Sequence, residues 1–226
     1  MEKYFIGIDS GTSGIKAVLF DLKGNEIGQK SFPLKGIFPR EDMYEEDMLE
    51  IWDKAVKCVK AVTEAFPDKE IVGIGITAQG DGLWMVDENM EPVRNGCCFC
   101  DGRAAKIVDR WVEDGTCDKL FEITGTRIFT GNQNGIVKWM EEHEPENLDK
   151  SRWLLHLKDY LFYRFTGKVT TDATDQSLIF LDQNKRDYLD ETFKICGIEK
   201  YKDKYPPVLS AKENAFPVQK ELAKEL

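Results

Sequence analysis

The sequence has little of what marks membrane, nucleic-acid-binding or metal-thiolate proteins. No segment approaches the ~20 consecutive apolar residues that a membrane-spanning helix requires. The first four residues lead directly into an apolar strand pattern without a signal-peptide core, so we expect a cytoplasmic protein with no membrane partner. The net charge of −10 argues against a nucleic-acid partner, which would favour a basic surface.

The chain is also poor in metal-ligating patterns. Its only histidines are His143 and His156. Cys97, Cys98 and Cys100 lie too close together for a disulfide framework, and no further cysteine pair or pair of histidines accompanies them. In a cytoplasmic chain cysteines stay reduced. We therefore predict that they are small, buried strand residues rather than metal ligands.

The hydrophobic pattern predicts an α/β chain of one large domain that opens with an antiparallel three-strand meander. Strands are expected at 4–8, 15–21 and 26–34, and a helix at 45–65, where apolar residues recur every three or four positions. The run IVGIGIT at 71–77 predicts a strand buried on both faces and reached by a crossover. The sheet should therefore be mixed and flanked by helices.

The second half of the chain is predicted to be largely helical. Helices are expected at 104–113, 118–124, 134–143 and 158–165. Short extended segments are expected near 83–87, 95–100, 152–155 and 169–172. The remainder of the chain after residue 177 is charged and is broken by Pro206, Pro207 and Pro217.

The glycine-rich stretch DSGTSGIK, residues 9–16, lies between two predicted strands. Walker A and Rossmann loops instead lead from their glycines into a helix. A tight hairpin can still point backbone N–H groups at a phosphate, with Thr12 and Ser13 adding hydroxyl groups and Lys16 a positive charge. Asp9 fits beside an anion only if Mg²⁺ lies between them. Taken alone, the stretch is equally consistent with an ordinary turn.

Five stretches together resemble the FGGY family of carbohydrate kinases. The hairpin resembles that family's first phosphate loop. VGIGITAQGDGLWMVDENMEPVRN resembles its sugar loop, and CCFCDGRA resembles its W-x-D-x-R-A motif, with Phe99 in place of Trp. FEITGTRIFTGNQNGIVKWMEEHEPE and HLKDYLFYRFTGKVTTDATDQSLIFLD resemble its T-G and D-Y-L segments. The resemblance reaches about Pro207 and implies a ribonuclease H-like (actin-like ATPase) fold.

The resemblance also implies site residues. Asp9 would hold the Mg²⁺ of Mg-ATP through water. The phosphate-binding residues would be Gly11, Thr12, Ser13 and Lys16. The substrate-binding residues would be Gln79, Gly80, Asp81, Phe99, Asn132 and Gln133. No catalytic residue is expected in this chain, because the family's catalytic base is an aspartate in a later G-G-x-D-type segment.

Residues 1–226 are thus expected to be the N-terminal, sugar-binding lobe of a kinase whose C-terminal nucleotide-binding lobe is absent from this chain. The lobe alone is expected to be inactive. The full enzyme would phosphorylate a primary hydroxyl of a pentulose such as xylulose or L-xylulose, or of a polyol such as erythritol. The Gln-Gly-x-Gly sequence from Gln79 resembles L-xylulose and erythritol kinases more than glycerol kinases. A homodimer of the full-length enzyme stays open.

Two other functions are alternatives. A non-catalytic sugar-binding or regulatory module could have kept the fold, although a pure sugar binder has no need of the phosphate hairpin. An actin-like or Hsp70-like ATPase lobe shares the hairpin but has no reason to carry ITAQGDG and CDGRA.

Several residues are predicted to have structural roles. These are an internal ion pair for Asp101 and Arg103, solvated positions for Lys16 and Lys158, helix capping or turn formation for Asp172 and Asp175, and core packing for Trp84 and Trp139.

Overall fold

The computed structural model describes residues 2–177 and 179–226. At its centre is a four-stranded mixed sheet of order β3–β2–β1–β5, in which β1 pairs antiparallel with β2 and parallel with β5. Within these residues the strands are β1 (Lys3–Gly11), β2 (Gly14–Asp21), β3 (Glu26–Pro33), β4 (Glu45–Glu46), β5 (Glu70–Ala78), β6 (Trp84–Val86), β7 (Gly96–Cys97), β8 (Trp153–Leu155), β9 (Thr171–Asp172), β10 (Leu181–Asp182), β11 (Asp187–Tyr188) and β12 (Val208–Leu209).

Helices supply most of the remaining regular structure. They are α1 (Met48–Ala65), α2 (Ala105–Glu113), α3 (Thr116–Thr124), α4 (Gln133–His143), α5 (Pro145–Lys150), α6 (Leu157–Thr166), α7 (Ala173–Gln176), α8 (Asp190–Cys196) and α9 (Lys220–Glu225), with a 3₁₀ helix at Glu199–Lys204. The predicted meander, mixed sheet and helical second half are therefore confirmed. Element boundaries differ from the predicted ones by a few residues.

Helix α1 begins at Met48 rather than at the predicted Glu45. The Asp47 side chain accepts hydrogen bonds from the backbone N–H groups of Leu49 and Glu50 and so caps the helix. Glu45 and Glu46 instead form β4, which pairs with β7. The apolar stripe of α1 is buried against one face of the sheet together with alternate residues of β1. Glutamate has a high helix propensity, which is why Glu45 and Glu46 were predicted to be helical. Pairing with β7, which is distant in sequence, places them in a strand instead.

Strand β5 runs parallel to β1 after the crossover through α1, as predicted. Its residues are half-buried or exposed, and Val72 is 41% exposed. Among the described residues β5 lies at one edge of the central sheet. The prediction that both faces of this strand are buried is therefore wrong.

A second hydrophobic core lies among α2, α3, α4 and α8. Phe180 and Phe193 stack there with ring centroids 4.2 Å apart, and Tyr205 packs edge-on against both rings. The helices and strands from Leu181 onward were not predicted from the sequence. These elements are too short to show a helical period, and long-range aromatic packing stabilises them.

The cysteines fit the prediction only in part. All are free, and four are buried, but of these only Cys97 lies on a strand, whereas Cys58 and Cys196 lie on helices. Cys100 is exposed. Within the described ranges, no helix has both the length and the apolarity needed to cross a membrane.

Candidate functional site

The residues of the predicted phosphate hairpin come together at one end of the central sheet. Asp9 lies directly opposite Lys16 on β2 and Thr77 on β5, and the two-residue turn of Thr12 and Ser13 joins β1 to β2. Asp9 is exposed, on the face of β1 opposite to the one that packs on α1. Among the described residues, none forms a hydrogen bond or ion pair with the Asp9 carboxylate. The carboxylate is thus available to a ligand.

Backbone contacts hold the turn in place. The backbone N–H of Leu34 donates to the carbonyl oxygen of Ser13 at 3.1 Å, and the Tyr44 hydroxyl donates to that of Thr12 at 3.2 Å. Gly14 lies so close to β3 that a Cβ atom there would meet the Phe32 carbonyl oxygen at 2.9 Å. These contacts hold the backbone of the turn in place. The side chain of Thr12 is half-buried and that of Ser13 is exposed.

Three loops meet beside this hairpin and carry the predicted sugar-binding residues. Gly82 donates its backbone N–H to the carbonyl oxygen of Gly131 at 3.0 Å, and Leu83 and Cys97 exchange backbone hydrogen bonds. A Cβ atom on Gly82 would lie 2.4 Å from the Cys97 carbonyl oxygen, and Gly82 also has φ of +74°. A glycine is needed there because the loops approach backbone to backbone in a left-handed turn.

Asp81 and Asn132, on two of these loops, form a buried polar pair. The Asn132 Nδ2 group donates to Asp81 Oδ1 at 2.6 Å, and Asn132 Oδ1 accepts from the backbone N–H of Phe129 at 2.7 Å. Asp81 has φ of +54°, which is unusual for a residue with a side chain. Burial raises the pKa of Asp81, although the hydrogen bond from Asn132 and the nearby His156 oppose this. The fixed carboxylate can accept hydrogen bonds from hydroxyl groups.

The other predicted sugar residues differ in their contacts. Phe99 is 41% exposed and can form a wall. Gln79 donates from Nε2 to Glu46 Oε2 at 2.8 Å, and Gln133 donates from Nε2 to the carbonyl oxygen of Leu155 at 2.8 Å. The structure therefore brings Gly80 and Asp81 together with Phe99 and Asn132, while the amides of Gln79 and Gln133 have partners within the protein. Substrate contact by these residues stays a prediction.

The ion pair predicted between Asp101 and Arg103 is confirmed, and it is wholly buried. Arg103 donates from Nε to Asp101 Oδ1 at 2.8 Å and from Nη2 to Oδ2 at 3.0 Å. It also donates from Nη2 to Glu45 Oε1 at 2.6 Å, and its guanidinium lies over the ring of Trp139. Asp101 in addition accepts the backbone N–H of Tyr44. These bonds tie the loop that carries Phe99 to the strand before α1.

Lys158 is not the solvated lysine that the sequence predicts. Its Nζ lies 2.6 Å from Asp159 Oδ1 and 3.2 Å from an oxygen of both Asp172 and Asp175. Burial opposes its charge, but these carboxylates, Asp159 first, raise the pKa of Lys158. Asp172 caps α7 as predicted, by accepting from the backbone N–H groups of Thr174 and Asp175. Asp175 belongs to the buried cluster, so its predicted capping role is wrong.

His156 is the polar residue near the sugar loops that sequence reasoning missed. It follows β8, which pairs with β6 so that Leu155 lies opposite Trp84. The side chain is fully buried, and Gln176 Nε2 lies 3.3 Å from its Nδ1. The ligand atoms of His156, Asp159 and Asp175 lie within 4.8 Å of one another. The single ammonium of Lys158, which lies within 3.2 Å of both carboxylates, offsets part of their negative charge.

Glu46, on β4, is a buried carboxyl group whose ionisation makes the stability of this region depend on pH. Burial raises the pKa of Glu46 to about 7, against hydrogen bonds from Cys98 and Gln79 that lower it. Because the pKa in the folded state exceeds the ordinary 4.5, the stability that this group contributes is fully present below pH 4.5 and is lost as pH rises through 7. The loss amounts to about 3 kcal/mol for this group. We expect Glu46→Gln to flatten the dependence of the melting temperature on pH between 5 and 8.

The matched control for that experiment is Glu64→Gln, an exposed residue of α1. This variant should keep the pH profile of the wild type. A Glu46→Gln profile equal to that of the wild type would contradict the assignment.

These features define an α/β lobe in which a phosphate-type hairpin lies close to three loops that carry a buried polar pair. A family model described as the FGGY family of carbohydrate kinases, N-terminal domain, matches residues 4–226. The chain belongs to this family, which confirms the resemblance.

Among curated relatives, the L-xylulose/3-keto-L-gulonate kinase of Escherichia coli (strain K12) is 37% identical over 169 residues, which is 74% of this chain and 34% of that protein. A probable L-xylulose kinase of Pasteurella multocida (strain Pm70) is 31% identical over 94% of this chain and 44% of its own length. The erythritol kinase of Brucella abortus (strain 2308) is 29% identical over 96% and 42%. The chain thus spans less than half the length of these relatives.

Solved structures agree on the fold. A gluconate kinase from Lactobacillus acidophilus superposes with a TM-score of 0.92 at 25% identity, covering 100% of this chain and 45% of that one. A ligand-bound xylulose kinase from the same organism superposes with a TM-score of 0.91 at 25% identity, over 99% and 45%. The predicted ribonuclease H-like, actin-like arrangement is confirmed.

Proposed function

We propose that this chain is the N-terminal, sugar-binding lobe of an ATP-dependent kinase that phosphorylates a primary hydroxyl of a pentulose or a small polyol. The observation that carries the proposal is the meeting of three loops around the Asp81 carboxylate, which the Asn132 side chain holds at 2.6 Å. L-Xylulose, xylulose and erythritol are the first substrates to test, because relatives of 27–37% identity are named for them.

The hairpin residues fit a magnesium nucleotide. Asp9 is an exposed carboxylate at the end of a strand with no partner among the described residues, and hard oxygen ligands suit Mg²⁺. Asp9 would hold the Mg²⁺ of Mg-ATP, and Gly11, Thr12, Ser13 and Lys16 would face its phosphates. Bound Mg²⁺ would neutralise charge on the phosphates during transfer.

In this mechanism the lobe positions the reactants and does not supply the base. Asp81 accepts hydrogen bonds from sugar hydroxyl groups and thereby fixes the ring or chain relative to the hairpin. Phe99 covers one side of the sugar and limits the access of water. Since phosphoryl transfer depends mainly on positioning and charge neutralisation, these two functions are what one lobe can contribute.

The direct test is Asp81→Asn in the full-length protein. The variant keeps the size of the side chain but loses the charged acceptor, so we expect the sugar KM to rise by roughly 10- to 100-fold. The KM for ATP should stay near the wild-type value, because Asp81 lies in the sugar pocket. Coupled ADP-release assays with L-xylulose, D-xylulose and erythritol measure both constants.

Glu88→Gln, at an exposed turn after β6, is the control and should change neither constant. The wild type's failure to phosphorylate any of a broad panel of pentuloses and polyols would refute the kinase proposal. Tight sugar binding without ATP turnover would favour the alternative of a non-catalytic sugar-binding module.

A further inference from the structure

The side chain of His156 is buried near the loops that carry the predicted sugar-binding residues, and one of its ring nitrogens has no partner among the described residues. None of the side chain is exposed. Within residues 2–177 and 179–226, no group forms a hydrogen bond with Nε2. Unpartnered buried polar atoms are costly, and each one calls for an explanation. A bound ligand is one such explanation, provided that the atom faces the ligand's site.

Hydrogen bonds and strand register locate His156 beside that site. Gln133 follows Asn132, the partner of Asp81, and donates to the carbonyl oxygen of Leu155, the residue before His156. In the β6–β8 pair, Leu155 lies opposite Trp84, so His156 comes level with the loop that carries Asp81. His156 and Asp81 are also close enough for the charge of each to affect the pKa of the other.

The surroundings of Nδ1 determine what Nε2 can offer. Gln176 Nε2 lies 3.3 Å from Nδ1, and the backbone N–H of Asp159 also faces the imidazole in a capping box at the start of α6. A neutral ring that accepts these donors at Nδ1 carries its proton on Nε2. If the nearby Asp159 and Asp175 carboxylates keep the ring protonated, Nε2 again carries a proton. Nε2 is a hydrogen-bond donor in both of these states, whereas a neutral ring with its proton on Nδ1, directed at Asp159 Oδ2 3.6 Å away, would make Nε2 an acceptor.

We propose that His156 is a sugar-binding residue whose Nε2–H donates a hydrogen bond to an oxygen of the bound ketose or polyol. This inference rests on the proposed function, and it adds a donor to the pocket. Asp81 can only accept hydrogen bonds when ionised, so it suits hydroxyl protons. His156 supplies the complementary group for a hydroxyl or carbonyl oxygen, and the Gln176 contact with Nδ1 orients the ring.

A pair of substitutions separates sugar binding from helix capping. His156→Asn leaves a good N-cap for α6 but is too short to replace Nε2. His156→Gln can place an amide N–H near the position of Nε2. In the full-length protein, we expect His156→Asn to raise the Kd for the sugar substrate about 10-fold or more, and His156→Gln to raise it less. The KM for ATP should be unchanged in both.

The Kd is measured by titration calorimetry with L-xylulose, D-xylulose or erythritol, whichever the enzyme phosphorylates, and melting temperatures report folding. His143→Asn, the same change at the other histidine, should have no effect on the Kd. A Kd for His156→Asn equal to that of the wild type would overturn the inference. So would an equal rise of the Kd in His156→Asn and His156→Gln that parallels their loss of melting temperature. Absence of phosphorylation of any sugar by the wild type would instead overturn the proposed function.

Discussion

Replacing Asp9 by Asn in the full-length protein should lower kcat by roughly 100-fold or more, the usual cost of removing one electrostatic contact to developing charge. The sugar KM should change little. Asp9 is at the hairpin end of β1, opposite Lys16, whereas the residues proposed to bind the sugar lie on other loops. A carboxylate that holds Mg²⁺ acts on the phosphates, and its effect therefore belongs to the transfer step rather than to sugar binding.

Two further measurements make this prediction specific. Asp68→Asn, in the exposed loop after α1, should leave kcat unchanged. The Asp9→Asn variant should require more Mg²⁺ for half-maximal rate than the wild type does. If Asp9→Asn weakened only sugar binding, with kcat and the Mg²⁺ requirement unaltered, the assignment of Asp9 to the metal would be wrong.

Local patterns were enough to predict the central sheet and the hairpin. Alternation along β1 and the three-to-four-residue spacing in α1 each concern neighbours in sequence, so the meander and the crossover follow from them. The FGGY-like stretches then predicted which loops would carry the site. The contact between Asp81 and Asn132, 51 residues apart, agrees with that prediction.

The buried polar groups could not be predicted in the same way. Lys158 and Asp175 are residue types that usually lie at the surface, and only the packing of α7 against the start of α6 buries them together. In the sequence, His156 is an ordinary residue between a strand and a helix. Gln176 and Asp81 are distant from it in sequence and come near it only in the folded chain. Glu46 has an elevated pKa because β4 pairs with β7, which no local pattern indicates.

Removing the charge of Arg103 should be the most destabilising of the changes considered. Arg103→Met leaves Asp101 and Glu45 buried, with Asp101 stripped of its bidentate partner. Breaking a buried pair by removing one partner costs about 3–5 kcal/mol, because the remaining charge is uncompensated. Chemical denaturation of the variant should show this loss directly. Arg103→Lys should recover only part of it, since lysine lacks the planar fork that binds both oxygens of Asp101.

An exposed pair provides the contrast. Arg40 and Asp42 form an ion pair with both side chains more than half exposed, so Arg40→Met should cost less than about 1 kcal/mol. In the double variant Arg103→Met with Asp101→Asn, the buried charge is also removed, and part of the stability should return. Equal losses for Arg103→Met and Arg40→Met would contradict the buried-pair argument. Because the same pair fixes the loop that carries Phe99, Arg103→Lys should also weaken sugar binding while leaving the hairpin and the KM for ATP unaffected.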